Sequence, residues 1–461
     1  MKKNIILFII VIFIMLLIGC ENRGQSEVSI SSGIEMAPTN EFVIYRPPIT
    51  PDWFSKAILL FRQAYPDVNI KIEDFSTGEI SKNIEEYQSR VHNELLVGEG
   101  PDLIFPFYLN LNMHKSMQNG TFLNLSPYFD RDKTFCEDDF LPGVFNAGKY
   151  QGCQYIVPIH VIFPEFIART PMLDKYGIVQ IEDANIDSFL WQIGQASLLA
   201  EEDSNFDQMM DRTNYFPFFL RYANLQFLDY ENHRVCPEPE KIRSFIDAYK
   251  QYYKWDYNDG KYAESMSAGE LLPTDCCFIW AINQPYDFRV YSAKILDIDD
   301  GYTDIFVRDM DGRLTVHYQD YVAVPSTSKN QMNAYRFIQI LLSEYTQAEK
   351  RNIRGTEVYM SNYCAVNQKA LNTRCNDRID DADIVFYDST YTKVLDRVAN
   401  IPRTEMIDHL NDLLKVETSC LEDYILVNFV WESICPYFKD EKSYEACFEE
   451  LKSKLLLYLD E

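Results

Sequence analysis

The most constraining stretch of this chain lies between residues 41 and 75, where a strand, a helix and a second strand follow within forty residues. "EFVIYRP" is a short β-rich segment stopped by Pro47 and Pro48. Thr50-Pro51 sets a capping hydroxyl before a proline at the first helical position. Phe54, Ile58, Phe61 and Tyr65 recur at helical spacing, and Pro66 predicts the helix end. "VNIKIEDF" then alternates apolar and polar residues as a strand does. A βαβ unit favours a parallel sheet covered by helices, so the predicted class is α/β.

The pattern continues in kind. "IEEYQSRVHNELLVG" predicts a helix leading to Gly100-Pro101-Asp102 and the buried-strand run "LIFPF". "NLSPYF" predicts another helix, with Ser126 as cap and Pro127 at its first position. "YQGCQYIVPIHVIFPEFIART" reads as a turn and long extended segments. Residues 170–275 read as mainly helical, "CCFIWAI" as a short buried strand, and "YVAVPSTSKNQMNAYRFIQILLSEYTQ" as strand, loop and amphipathic helix. From about residue 403 the pattern is helical again, and neither an internal repeat nor a low-complexity block interrupts the chain.

Apolar residues make up 47% and aromatics 14% of the 461 residues, enough for real hydrophobic cores. The formal charge of −27 repels phosphate backbones and anionic headgroups, which argues against nucleic acid as a partner. Ten cysteines follow Cys20, none in a CxxC pair, and no histidine stands at finger-like spacing, so no metal or cofactor site is expected. Their expected state is buried thiols, with one or two disulfides as the alternative.

The N-terminus has its own chemistry. Behind Lys2 and Lys3, Ile5 to Ile18 is an unbroken apolar run of fourteen residues, too short to span about 30 Å of hydrocarbon as a helix. A basic start, a short apolar run and a small residue before a cut site describe a secretory signal. Leu17-Ile18-Gly19-Cys20 resembles the lipobox of bacterial lipoproteins, which implies a signal over 1–19 and a diacylglyceryl group on Cys20. Two acyl chains hold at a membrane where one is marginal. The polar stretch that follows, to residue 39, reads as a tether of roughly 25 Å reach. No other apolar run approaches eighteen residues, so no transmembrane segment is expected.

Taken in order, several segments resemble the extracellular solute-binding proteins of ABC importers, specifically the large carbohydrate-binding family related to maltose-binding protein. They are "FRQAYPDVNIKIE", "LLVGEGPDLIF", "MQNGTFLNLSPYFDRD", "GKYQGCQYIVPI" and "YVAVPSTSKNQMNAYRFIQILLSEYTQ", with the last sixty residues resembling the closing helices. The two cysteines at 276–277 and the heavy aromatic content depart from the pattern. The resemblance implies a two-lobed periplasmic-binding-protein-like α/β fold with a hinge and a central ligand cleft. Lobe one is expected at 40–157 plus 290–345, and lobe two at 158–289 plus 346–461. It further implies a monomer lipid-anchored on the outer face of the cytoplasmic membrane. That monomer captures a mono- or oligosaccharide by cleft closure and delivers it to permease subunits, without catalysis.

Sugar sites combine flat aromatics with carboxylates, amides and arginine. Trp53 lies at the start of the first helix and Tyr108 follows the "LIFPF" strand, while His160 and Glu165 fall in the crossing segment. In "FIWAINQPYDF", Tyr286 stands where the family has a sugar-stacking aromatic, with Trp280 and Asn283 close by. Tyr359 and Asn362 come from "RGTEVYMSNYCAVN". The plain alternative for Trp53 is core packing, and for His160 a satisfied structural histidine. GxSxG, HExxH, P-loop and GxGxxG motifs are all lacking. "DIDDG" at 297–301 reads as a turn, and "EDD" at 137–139 as a solvated face. A surface lipoprotein glycoside hydrolase and a ligand sensor feeding a membrane receptor are the alternative functions.

Overall fold

The computed structural model describes residues 41–48, 53–106, 109, 111–179, 181, 183–200, 208–210, 216–254, 276–280, 301–348, 350–353, 356–359, 363–379, 386–387, 393–395 and 403–460. Strand β1 (Glu41–Arg46), helix α1 (Trp53–Ala64) and strand β2 (Asn69–Asp74) form the expected unit, with β1 and β2 parallel in direct register. Helix α1 buries Trp53, Phe54, Ala57, Ile58 and Phe61 along one stripe. Helix α2 (Ile80–Val97) ends where Gly98, at φ 73°, donates its N–H to the Glu94 and Leu95 carbonyls.

"LIFPF" makes isolated bridges and no continuous strand: Leu103 pairs beside Ile44, and Ile104 opposite Ala323. Asp102, just before it, is a structural anchor. Its carboxylate accepts from the Val43 N–H at 2.8 Å, the Ser328 hydroxyl at 2.7 Å and the Asn330 amide at 2.9 Å. Ser126 is likewise inside its helix and not its cap. Asn124 accepts from the Ser126 N–H, and the Ser126 hydroxyl accepts from Gln154 N–H at 2.8 Å. A tertiary partner has drawn the hydroxyl away from local capping.

Strand β3 (Ile156–Ile162) is buried at every residue, and Phe163-Pro164 hands the chain to β4 (Glu165–Arg169). Helices α3 (Ile186–Ala200), α4 (Phe216–Ala223) and α5 (Pro239–Tyr253) follow, with short strand β5 (Gln208–Met210) between α3 and α4. Next come β6 (Cys276–Trp280), β7 (Tyr302–Phe306), β8 (Thr315–Ala323) and α6 (Gln331–Leu341). The chain closes with β9 (Cys364–Ala365), α7 (Gln368–Ile379), α8 (Arg403–Leu413), β10 (Thr418–Cys420), α9 (Tyr424–Phe438) and α10 (Tyr444–Asp460). Among the described residues no helix is long and apolar enough to cross a membrane.

These elements build two hydrophobic cores. The first gathers β1, α1, α6 and the sheet β9-β3-β8-β10, with Phe337 of α6 set 5.7 Å from Phe61 and 6.3 Å from Phe54. The second gathers the sheet β7-β4-β6-β5 under α3, α4, α5, α9 and α10. Aromatics pack it densely: Phe189 lies 5.0 Å from Phe166 and 5.6 Å from Phe278, and Phe216 meets Tyr249 at 4.9 Å. That answers for much of the aromatic excess. Helices α3 and α5 approach so closely that a Cβ on Gly194 would stand 2.8 Å from Gln251 Cβ.

The chain passes between the cores at 163–164, at 307–314 and at 421–423. The first core also takes in Cys364, Val366, Leu371, Leu413 and Val416, which the sequence-based division sets with 346–461 in lobe two. The reason is pairing, since β9 joins β3 and β10 joins β8. Cys236, Cys277 and Cys447 are buried free thiols, Cys153 and Cys420 are half-buried free thiols, and Cys136 is exposed. Burial pushes the Cys236 and Cys277 thiols up to about 12, leaving them unreactive at neutral pH.

Candidate functional site

Polar side chains collect where the two cores meet. His160 on β3 is fully buried, and its Nδ1 lies 2.8 Å from Asp320 Oδ2 on β8. Register shifts on either side of Asp320 break the β3–β8 ladder and set Asp320 opposite His160. Burial pulls the His160 pKa below the usual value, against the opposing pull of Asp320. The ring is therefore neutral at pH 7, with its proton on Nδ1 toward the carboxylate and Nε2 left as an acceptor. Trp53, at the head of α1, packs against this imidazole with ring centroids 5.7 Å apart and is itself 1% exposed. Among the described residues neither Trp53 Nε1 nor His160 Nε2 has a hydrogen-bond partner. A buried donor and a buried acceptor thus stand unsatisfied on adjoining rings, at a cost of about 1–3 kcal/mol each.

Around this pair the junction is tied by further polar contacts. Arg374 is buried and donates to the Tyr363 and Gln347 carbonyls. Arg221 on α4 pairs with Glu422 in the third crossing. Burial opposes the Arg221 charge, but Glu422, Tyr424 and Tyr222 raise its pKa above the ordinary value. His317 on β8 lies against Cys420 on β10, and burial holds the imidazole pKa well below its usual value. Asp423 caps α9 by accepting from the Ile425 and Leu426 N–H groups and also accepts from Tyr458. Beside this crossing lies a cavity of about 370 Å³ lined by residues of both cores, among them Asn112, His114, Tyr230 and Glu422. His114 stacks on Tyr230 at 4.1 Å, and Tyr230 OH accepts from Asn112 at 2.7 Å.

Of the predicted site residues, the fold brings Trp53 and His160 into contact. Glu165 is fully buried on β4, but it turns toward Asp304 of β7 and His409 of α8. Trp280 ends β6 and Tyr359 ends the strand Thr356–Tyr359. Cys20, Tyr108, Asn283, Tyr286 and Asn362 lie outside the described residues, as do residues 297–300 of "DIDDG". Asp320, Arg374, Arg221 and Glu422 were missed by sequence reasoning. Only Asp320 left a signal, as an acidic residue inside the otherwise buried strand Thr315–Ala323.

Known structures share this fold. The chain superposes on the sugar-binding protein MalE from Xanthomonas citri with a TM-score of 0.62 at 13% identity, over 91% of this chain and 97% of that one. The chain has the two-lobed solute-binding-protein fold. An extracellular solute-binding protein of family 1 from Alicyclobacillus acidocaldarius matches with a TM-score of 0.57 at 12% identity, over 91% and 98%. An ABC substrate-binding protein from Listeria monocytogenes, solved in complex with cycloalternan, matches with a TM-score of 0.52 at 11% identity, over 91% and 99%. No family model and no curated protein sequence matches the chain. On this fold Trp53 belongs to the first core, and His160 stands three residues before the first crossing at 163–164.

Proposed function

We propose that this protein is the substrate-binding subunit of an ABC importer, anchored through a lipid on Cys20, and that its solute is a mono- or oligosaccharide. The observation that carries the reading is the pair of buried, unsatisfied polar atoms on adjoining rings, Trp53 Nε1 and His160 Nε2. One sugar hydroxyl can accept from the indole N–H and donate to the imidazole nitrogen, while the indole face meets a C–H surface. Tyr108, Trp280, Asn283, Tyr286, Tyr359 and Asn362 complete the set in this proposal, whereas Glu165 does not. Both central rings are buried, so solute enters an open form and shifts the population toward the closed one. Binding without chemistry suffices for this task, and permease subunits read the closed form of the monomer. Neighbouring structures bind sugars, which supports the carbohydrate class.

A thermal-shift screen against sugars, oligosaccharides, polyols, amino acids and short peptides tests the proposal. A ligand at 100 times its dissociation constant stabilises by about 2.7 kcal/mol. A saccharide hit without product formation supports the importer subunit, and turnover of a glycoside establishes the hydrolase instead. A folded protein that ignores every carbohydrate overturns the assigned solute class.

A further inference from the structure

Strand β4 and strand β7 present two different faces. Phe166, Ala168 and Ile305 point into the second core, while Glu165, Asp304 and Phe306 occupy the opposite face. The register pairs Glu165 with Phe306 and Ile167 with Asp304, so the two carboxylates are diagonal neighbours on adjacent strands. Helix α8 lays His409 over them, its ring 6.1 Å from the Phe306 ring and tilted by 25°. His409 Nδ1 stands 2.9 Å from Asp304 Oδ2 and 3.6 Å from Glu165 Oε1. One donor atom from each residue lies within 4.8 Å of the others. The Glu165 and His409 side chains are each 1% exposed and that of Asp304 is 16% exposed. Asp304 Oδ1 is buried and has no hydrogen-bond partner among the described residues.

From this geometry we infer that Glu165, Asp304 and His409 form a binding site for one first-row divalent cation. Donors about 2.0–2.2 Å from a shared ion stand roughly 3.0–3.6 Å apart, and the two measured separations bracket that range. One imidazole and two carboxylates suit zinc or manganese, and three protein ligands leave a coordination position open. The Nδ1 proton directed at Asp304 stands where the ion would sit, so binding takes the tautomer that carries the ring proton on Nε2. The ligands come from two strands and a helix, and the bound ion clasps α8 onto the sheet. The inference is independent of the solute assignment.

Manganese is the first probe, because thiolates elsewhere in the chain compete for it poorly. Full-length protein freed of metal with EDTA is titrated with MnCl2 by calorimetry, then with ZnCl2 in competition. One ion per chain is expected, with affinity falling at least tenfold in each of Glu165→Gln, Asp304→Asn and His409→Gln. The control His233→Gln, at an exposed pair with Asp460, leaves it unchanged. Electron spin-echo spectroscopy of the manganese form should show coupling to a single histidine nitrogen, which decides the matter even where a variant fails to fold. No stoichiometric binding, binding that survives all three substitutions, or a spectrum without nitrogen coupling overturns the site.

Discussion

His160 and Trp53 show how much one pair of side chains carries in this protein. Each has its polar ring atom buried and unsatisfied, a cost that a folded protein retains where a ligand can supply the missing partner. Trp53→Ala or His160→Ala is therefore expected to weaken solute binding tenfold or more, a loss of at least about 1.4 kcal/mol, measured by calorimetry with the solute from the screen. The same imidazole sets a pH dependence. Because burial makes it harder to protonate folded than unfolded, the unfolded chain binds more protons below about pH 6.5. Its contribution is whole above that pH and is lost as the pH falls toward the lower folded-state value. One such proton changes stability by up to about 1.4 kcal/mol per pH unit. His160→Gln should flatten the melting temperature between pH 6.5 and 5.5 relative to the parent, and an unchanged slope would show that another group governs it. Legibility at this scale was uneven. Trp53 was visible as an aromatic at the start of the first predicted helix, and His160 as an imidazole within the crossing segment. Asp304 and His409, 105 residues apart, left no local trace.

At the scale of elements, β1, α1 and β2 could be read directly, because a period of 3.6 between two short strands leaves few other solutions. The errors fell where a tertiary partner outbid a local one. Ser126 gave its hydroxyl to Gln154 and not to its own helix, and Leu103-Ile104 made bridges where a full strand was expected. Asp102 illustrates the same principle from the other side, since it ties β1 to the turn before α6 through three hydrogen bonds. Asp102→Ala should cost about 3 kcal/mol by leaving these donors unpaired, read as a lower urea midpoint with unchanged slope.

For the whole molecule, the two cores, joined by three crossings among the described residues, predict hinge motion between them. Small-angle scattering should show the radius of gyration falling when saturating solute is added, and no fall would remove closure from the mechanism. Cys20→Ser should release the protein from membranes into the soluble fraction, whereas continued retention would refute the lipid anchor.

By itself the sequence determined the α/β class, the order of most elements and the apolar stripes that build the cores, because these follow from periodicities of two and 3.6 within short windows. Only the tertiary structure decided which strands are neighbours. It alone paired β9 and β10 with β3 and β8, drawing Cys364, Val366, Leu371, Leu413 and Val416 into the first core. It likewise set Asp320 beside His160 across 160 residues and brought Glu165, Asp304 and His409 together. Such contacts depend on register between distant segments, and a one-residue slip of a strand turns its side chains to the other face.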